Sequence, residues 1–224
     1  MKQIALDIGL VAPPSLDNYY AGPNTAACEH LRLWVREGTR SPVPSYLWGP
    51  EGSGKTHLLK AVRESLREQG AAVGWMDASM AEAPAYQESW SAVILDEVQD
   101  YGPGLQHAAF TWFVNAQTQG RWVLAAGTVP PVDLKLREDL RTRLGWGHVF
   151  ALQPLSEPER RAALRKAADA RGIFLSDEVM DFMLSRFARD LASQLQLLAQ
   201  LDGYSLANKR QITIPLLKSM LENL

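Results

Sequence analysis

One cysteine, Cys28, stands among 224 residues, so the chain cannot close a disulfide on itself. A reducing compartment is compatible with that usage. No cluster of His and Cys has the spacing of a metal site, and Cys28 reads as a small apolar helix residue. Long apolar runs are missing too: none approaches the ~18–20 residues of a membrane span. The first residues do not make a secretory signal, because Asp7 interrupts the apolar stretch and Pro13–Pro14 ends it. A cytoplasmic protein with no membrane partner is expected. An excess of one charge is also lacking. The net charge is −2, with 16 acidic and 13 basic residues before Leu155 and 9 and 10 from Leu155 onward. That balance argues against direct, sequence-specific DNA binding. No internal repeat or low-complexity segment is found.

What is present is alternation. Short apolar runs at Tyr46–Trp48, Ala72–Met76, Ala92–Leu95, Trp122–Ala126 and His148–Leu152 read as strands. Between them lie helical patterns, among them Thr56–Gln69, Leu105–Thr118 and Leu136–Leu144. Alternation of this kind predicts an α/β domain, a parallel sheet with helices on both faces. After Leu152 the strands stop. Ser156 and Glu159 have the spacing of a capping box, and Ser176 and Thr213 are further cap candidates, the last followed by Pro215. The expected organisation is an N-terminal peptide over 1–14, an α/β domain over 15–154 and a small all-α domain over 155–224.

Gly49–Pro50–Glu51–Gly52–Ser53–Gly54–Lys55–Thr56 fits G-x-x-x-x-G-K-[ST] between a predicted strand and a predicted helix. Such a loop wraps phosphate with successive N–H groups at a helix N-terminus. Lys55 is placed to neutralise the outer phosphates and Thr56 to bind Mg²⁺. Gly49, Gly52, Ser53, Gly54, Lys55, Thr56 and the adjoining His57 form the candidate nucleotide-binding set. The strand that begins 37 residues after Lys55 ends in Asp96–Glu97. Carboxylates at the C-terminal end of a sheet strand lie where ligands bind. Asp96 is the candidate for Mg²⁺ and Glu97 for general base.

Thr128 follows the strand Trp122–Gly127, where a polar side chain can reach a terminal phosphate or the attacking water; a loop cap before Pro130–Pro131 is an equal reading. Arg141 and Arg143 precede Gly145–Trp146–Gly147. An arginine there could enter a neighbour's phosphates as a finger, though a solvated helical face is the commoner fate. Arg189 could report nucleotide state to the helical domain, or make a surface ion pair.

P-loop, Asp-Glu strand, polar residue after the next strand, arginine helix and helical lid together resemble an AAA+ ATPase module. Leu16–Asn24, Gly127–Pro131, Arg143–Gly147 and Phe187–Leu191 resemble motifs of the replication initiator DnaA. The resemblance covers about residues 15–224. The sequence is expected to lack the initiator's basic helix-turn-helix domain and its helicase-loading region. That layout resembles the Hda-type regulatory inactivators of the DnaA-related family. Leu152–Ser156, Leu201–Asp202 and Ile212–Pro215 add to the match. The resemblance implies a negative regulator of replication initiation. It would bind adenine nucleotide (ADP or ATP) with Mg²⁺, dock on the DNA polymerase III β sliding clamp, and stimulate hydrolysis of DnaA-bound ATP. It further implies Thr128 as sensor 1, Arg189 as sensor 2, Arg143 as a finger presented to DnaA, and Asn18 and Tyr19 near the adenine. One departure is the intact Asp96–Glu97 pair, which Hda-type proteins often lack. Intrinsic turnover is expected to be slow, because a monomeric site lacks a partner's arginine; AAA+ modules form monomers, dimers or filaments, so a homo-oligomer stays an open reading. A DnaC-like helicase loader is the alternative, and a stand-alone ATPase a third reading.

The N-terminal Gln3–Ile4–Ala5–Leu6–Asp7–Ile8 reads Q-x-x-L-x-aliphatic. An extended segment of this kind can place Leu6 and Ile8 in an apolar pocket with Gln3 at its edge. It resembles the clamp-binding motif of bacterial clamp partners, and Hda-type proteins carry that motif at this terminus.

Overall fold

The computed structural model describes residues 13–36, 42–187 and 190–222. They divide into two compact units, one of them Pro14–Pro154 and the other built on the residues from Leu155.

In the first unit, five strands form one parallel sheet: β1 (Ser45–Trp48), β2 (Ala72–Met76), β3 (Trp90–Leu95), β4 (Trp122–Gly127) and β5 (His148–Ala151). Their order is β2-β3-β4-β1-β5. Helix α1 (Thr25–Val35) precedes β1, α2 (Lys55–Glu68) links β1 to β2, α3 (Pro103–Thr118) links β3 to β4, and α4 (Glu138–Leu144) links β4 to β5. The pleat sorts the strand side chains. Tyr46, Val93, Leu95, Val123 and Ala125 face one core, with Leu105, Trp112 and Phe113 of α3 and Leu140 and Leu144 of α4. Leu47, Ala92, Ile94, Leu124 and Ala126 face the other, with Leu31 of α1 and Leu58, Leu59, Val62 and Leu66 of α2. Burial on both faces is why these strands read as continuous apolar runs rather than alternating ones. Each fully buried Leu or Phe contributes about 1.5–3 kcal/mol of transfer free energy.

Helix α4 starts two residues later than the sequence pattern suggests. The N–H of Arg137 bonds Gln106 Oε1 at 3.0 Å. Arg137 is therefore extended (φ −51, ψ 138), and Glu138 and Asp139 occupy the first turn, where a helix favours negative charge.

The second unit is a four-helix body: α5 (Glu157–Ala170), α6 (Asp177–Arg186), α7 (Leu191–Asn208) and α8 (Ile214–Glu222). Its core joins Leu164, Val179, Met183, Leu198, Leu201, Leu217 and Met220. Caps set its boundaries. Glu159 accepts from the N–H (2.7 Å) and hydroxyl (2.6 Å) of Ser156. Ser176 and Thr213 accept from Val179 N–H and Leu216 N–H, each at 3.4 Å. Among the described residues, no helix is long and apolar enough to cross a membrane.

Candidate functional site

The order β2-β3-β4-β1-β5 places β4 between β3 and β1. The C-terminal ends of these three strands carry Asp96–Glu97, Thr128 and the glycine loop. The sheet thus gathers three separate sequence features on one edge.

The loop turns through left-handed backbone at Gly52 (φ 74) and Gly54 (φ 91), conformations that residues with a Cβ rarely adopt. Gly54 is also the N-cap of α2, and Lys55 and Thr56 open the helix. The Lys55 ammonium donates to the carbonyls of Gly49 (2.7 Å) and Pro50 (2.9 Å), so the lysine spans the loop and fixes its curvature. Burial holds its pKa below the usual lysine value, against the opposing charges of Asp96, Glu51 and Glu97. The Ser53 hydroxyl is buried inside the loop and finds no protein partner among the described residues. A buried hydroxyl without a partner, left-handed glycines, a buried lysine and a helix N-terminus suit a phosphate chain better than any neutral group.

Asp96 is 2% exposed. Burial pushes its carboxyl above the usual range. Hydrogen bonds from the Thr56 side chain and the Glu97 N–H, and the charge of Lys55, work the other way. The Thr56–Asp96 link joins α2 to the end of β3 and pairs a hydroxyl with a carboxylate, a donor set of hard oxygens suited to Mg²⁺. Glu97 has a left-handed backbone (φ 54, ψ 41) and begins a short 3-10 turn, Val98–Asp100. Its carboxyl is held above the usual range, first by burial and then by Asp96, Asp100 and Asp77. A non-glycine residue in that backbone region costs about 1–3 kcal/mol and tends to occur at functional sites.

Tyr19 covers the loop. Its hydroxyl donates to Ser53 O at 3.3 Å, and a Cβ on Gly54 would come within 2.7 Å of its ring. Burial pushes its phenol up to about 12. The His57 ring lies 5.5 Å from that of Tyr19, and His57 Nε2 meets Ser15 O at 3.2 Å. Asn18 is exposed and closes a turn, accepting from Ser15 N–H at 2.9 Å. The residue that secures this segment is Asn24, the last residue of the Leu16–Asn24 motif, to which the sequence alone assigns no role. It is 3% exposed. Its amide donates to Tyr19 Oη (3.1 Å) and Gln153 O (2.9 Å) and accepts from Gln153 N–H (2.8 Å). The G-P-N sequence ahead of α1 was the available signal.

Thr128 follows β4 directly, and its N–H bonds Gln99 Oε1 at 3.1 Å. Gly49 N–H donates to Gly127 O at 3.3 Å, tying the loop to that strand end. Arg143 belongs elsewhere in the unit. Its guanidinium lies over Phe110 (5.3 Å) and Phe113 (5.9 Å) of α3, within cation–π range. It lines an open groove with Phe110, Arg137, Asp139, Thr142 and Trp146. Arg137 is paired with Asp139 at 2.7 Å, whereas Arg143 forms no ion pair among the described residues. Trp146 is 66% exposed beside it. Gln3, Leu6, Ile8 and Arg189 lie outside the described residues.

Residues 157–221 match the family described as "Hda, lid domain". The chain is similar to domain III of the Thermotoga maritima replication initiation protein DnaA. The TM-score is 0.77 at 21% identity, over 95% of this chain and 97% of that one. Residues 157–221 thus carry a lid of the Hda type, and the chain as a whole has the fold of DnaA domain III. AMPPCP-bound DnaA from Aquifex aeolicus is similar at TM-score 0.67 and 20% identity, over 86% of this chain and 66% of that one. The Thermotoga maritima RuvB Holliday junction branch migration motor gives 0.65 at 17% identity, over 95% and 72%. The likeness to all three structures is one of fold.

Proposed function

We propose that this AAA+ protein is a negative regulator of replication initiation that acts on DnaA. The observation that carries the reading is the Hda-type lid at 157–221, joined to a module that resembles DnaA domain III. A nucleotide site is proposed at the glycine loop. Gly49, Gly52, Ser53, Gly54 and Lys55 hold the phosphates. Tyr19 and Asn18 lie on the segment that closes over the loop, and His57 of α2 meets that segment at Ser15 and Tyr19. An adenine nucleotide is favoured because the similar DnaA was captured with AMPPCP.

Thr56 and Asp96 would hold Mg²⁺, which supplies charge neutralisation on the phosphates when bound. A phosphate chain against Lys55 replaces the hydration that burial has removed from the ammonium. Glu97, with its raised pKa, is positioned to orient and deprotonate a water, and Thr128 to contact the outer phosphate. Intrinsic turnover stays slow because stabilising the transferring phosphoryl group needs an arginine from a neighbour.

Arg143 is presented outward in the same sense. Seated on Phe110 and Phe113 without an ion-pair partner among the described residues, it is held in place yet keeps its charge available. It is proposed to enter the nucleotide site of DnaA, while Arg189 senses nucleotide within this chain. Gln3, Leu6 and Ile8 are proposed to bind the β sliding clamp and so bring the protein to replicating DNA. Two variants separate the parts. Arg143→Ala is expected to abolish stimulation of DnaA-bound ATP hydrolysis and to leave nucleotide binding intact. Gln3→Ala with Leu6→Ala is expected to abolish retention on immobilised clamp. Normal stimulation by the first variant removes the finger, and normal retention of the second removes the tether.

A further inference from the structure

Two polar side chains outside the proposed nucleotide contacts hold the backbone on which Thr128 sits. Strand pairing ends at Gly127, which is in register with Trp48 of β1. Beyond it the ladder supplies no partner for Thr128 N–H or Val129 C=O. Gln99 and Tyr46 take over. Gln99 Oε1 accepts from Thr128 N–H at 3.1 Å, and Tyr46 Oη donates to Val129 O at 2.9 Å. The other end of the Gln99 amide donates to the Asp100 carboxylate, which fixes which atom faces Thr128. Tyr46 is 1% exposed, and burial keeps its phenol protonated as a donor. Gly127 leaves room for both: a Cβ there would overlap Tyr46 Oη and lie 3.2 Å from Gln99 Oε1.

The clamp is tied to the rest of the site. Gln99 lies in the short turn that follows Asp96–Glu97, and Asp100 N–H bonds Glu97 O at 3.0 Å. Gly127 O accepts from Gly49 N–H in the glycine loop at 3.3 Å. Three features far apart in sequence thus share one backbone junction.

We propose that Gln99, assisted by Tyr46, is a positioning residue that sets Thr128 against the terminal phosphate and thereby governs discrimination between nucleoside tri- and diphosphates. The inference rests on the nucleotide site proposed above. Without the Gln99 acceptor, Thr128 N–H turns to water and the segment gains freedom. Restoring its order then falls on the triphosphate complex alone, because a diphosphate lacks the group Thr128 reaches.

The test is calorimetric titration of the full chain with Mg²⁺ and either AMPPCP or ADP. Gln99→Met keeps the side-chain length and removes the acceptor. It is expected to lower the ratio of AMPPCP to ADP affinity about three- to tenfold, the range of one hydrogen bond. ADP affinity and the melting temperature should change little. Thr128→Ala, which keeps the backbone N–H, should lower the same ratio, and adding Gln99→Met to it should lower the ratio little further. Should Gln99→Met fail to fold, Tyr46→Phe carries the test, with a fall in the same direction. An unchanged ratio, an equal loss of both nucleotides, or full additivity with Thr128→Ala overturns the proposal while leaving the site intact. A wild-type chain that binds neither nucleotide overturns the site itself.

Discussion

Asn24→Ala is the most informative stability test of the leading segment. The side chain makes three hydrogen bonds at 2.8–3.1 Å, two to the Gln153 backbone and one to Tyr19 Oη. Each is worth about 0.5–1.5 kcal/mol net, and a partner left buried and unsatisfied costs more. Gln153 is exposed, so its backbone recovers part of the loss from water, whereas Tyr19 is half-buried. The expected loss is about 2–3 kcal/mol. For a unit of this size that lowers Tm by roughly 5–10 °C. Urea unfolding measures the energy. Hydrogen exchange at the Gln153 amide localises it, with faster exchange there and unchanged protection within α5–α8. The variant should also bind nucleotide more weakly, because Tyr19 loses its anchor above Ser53. A loss below about 0.5 kcal/mol would refute the reasoning, since a buried triple contact cannot be that weak unless the segment is not held this way.

Gly54→Ala should reduce nucleotide affinity at least tenfold in titration, because φ 91 and the Tyr19 ring at 2.7 Å both oppose a Cβ. Lys55→Met should lose nucleotide binding and also loosen the loop before any ligand arrives, seen as faster exchange of its amides, because two carbonyl contacts go with the ammonium. Burial holds the His57 and His30 pKa values below the ordinary histidine range, with the charge of His148 adding to the effect at His30. Below about pH 6.5 the unfolded chain takes up protons that the folded rings resist. Stability should therefore be fully present above that pH and fall as pH drops, in urea titrations across pH 7 to 5. His57→Gln should flatten that slope.

The sheet and the phosphate loop were legible because their physics is local. Strands such as Val93–Leu95 are buried on both faces and read as apolar runs, and the loop needs its glycines and lysine at fixed spacing. The polar contacts were not legible, because each joins distant positions. Asn24 bonds a backbone 129 residues away, Tyr46 one 83 away and Gln99 one 29 away. Nothing beside an asparagine or glutamine reveals which carbonyl or N–H it will satisfy. The start of α4 was missed for the same reason. Leu136 fits the helical stripe, but Gln106 takes the N–H of Arg137, Arg137 stays extended, and the helix begins at Glu138. Arg143 was named as a candidate from the sequence, while its seat on Phe110 and Phe113 depends on how α4 packs against α3.

The proposed function is that this chain switches off DnaA by promoting hydrolysis of its nucleotide. The direct measurement combines ATP-bound DnaA, clamp loaded on DNA and this protein, and follows conversion of DnaA-bound ATP to ADP. The account predicts conversion that requires this protein and the loaded clamp together and is lost with Arg143→Ala. Conversion at the DnaA-only rate, with all three components present and the wild-type protein retained on the clamp, would contradict it.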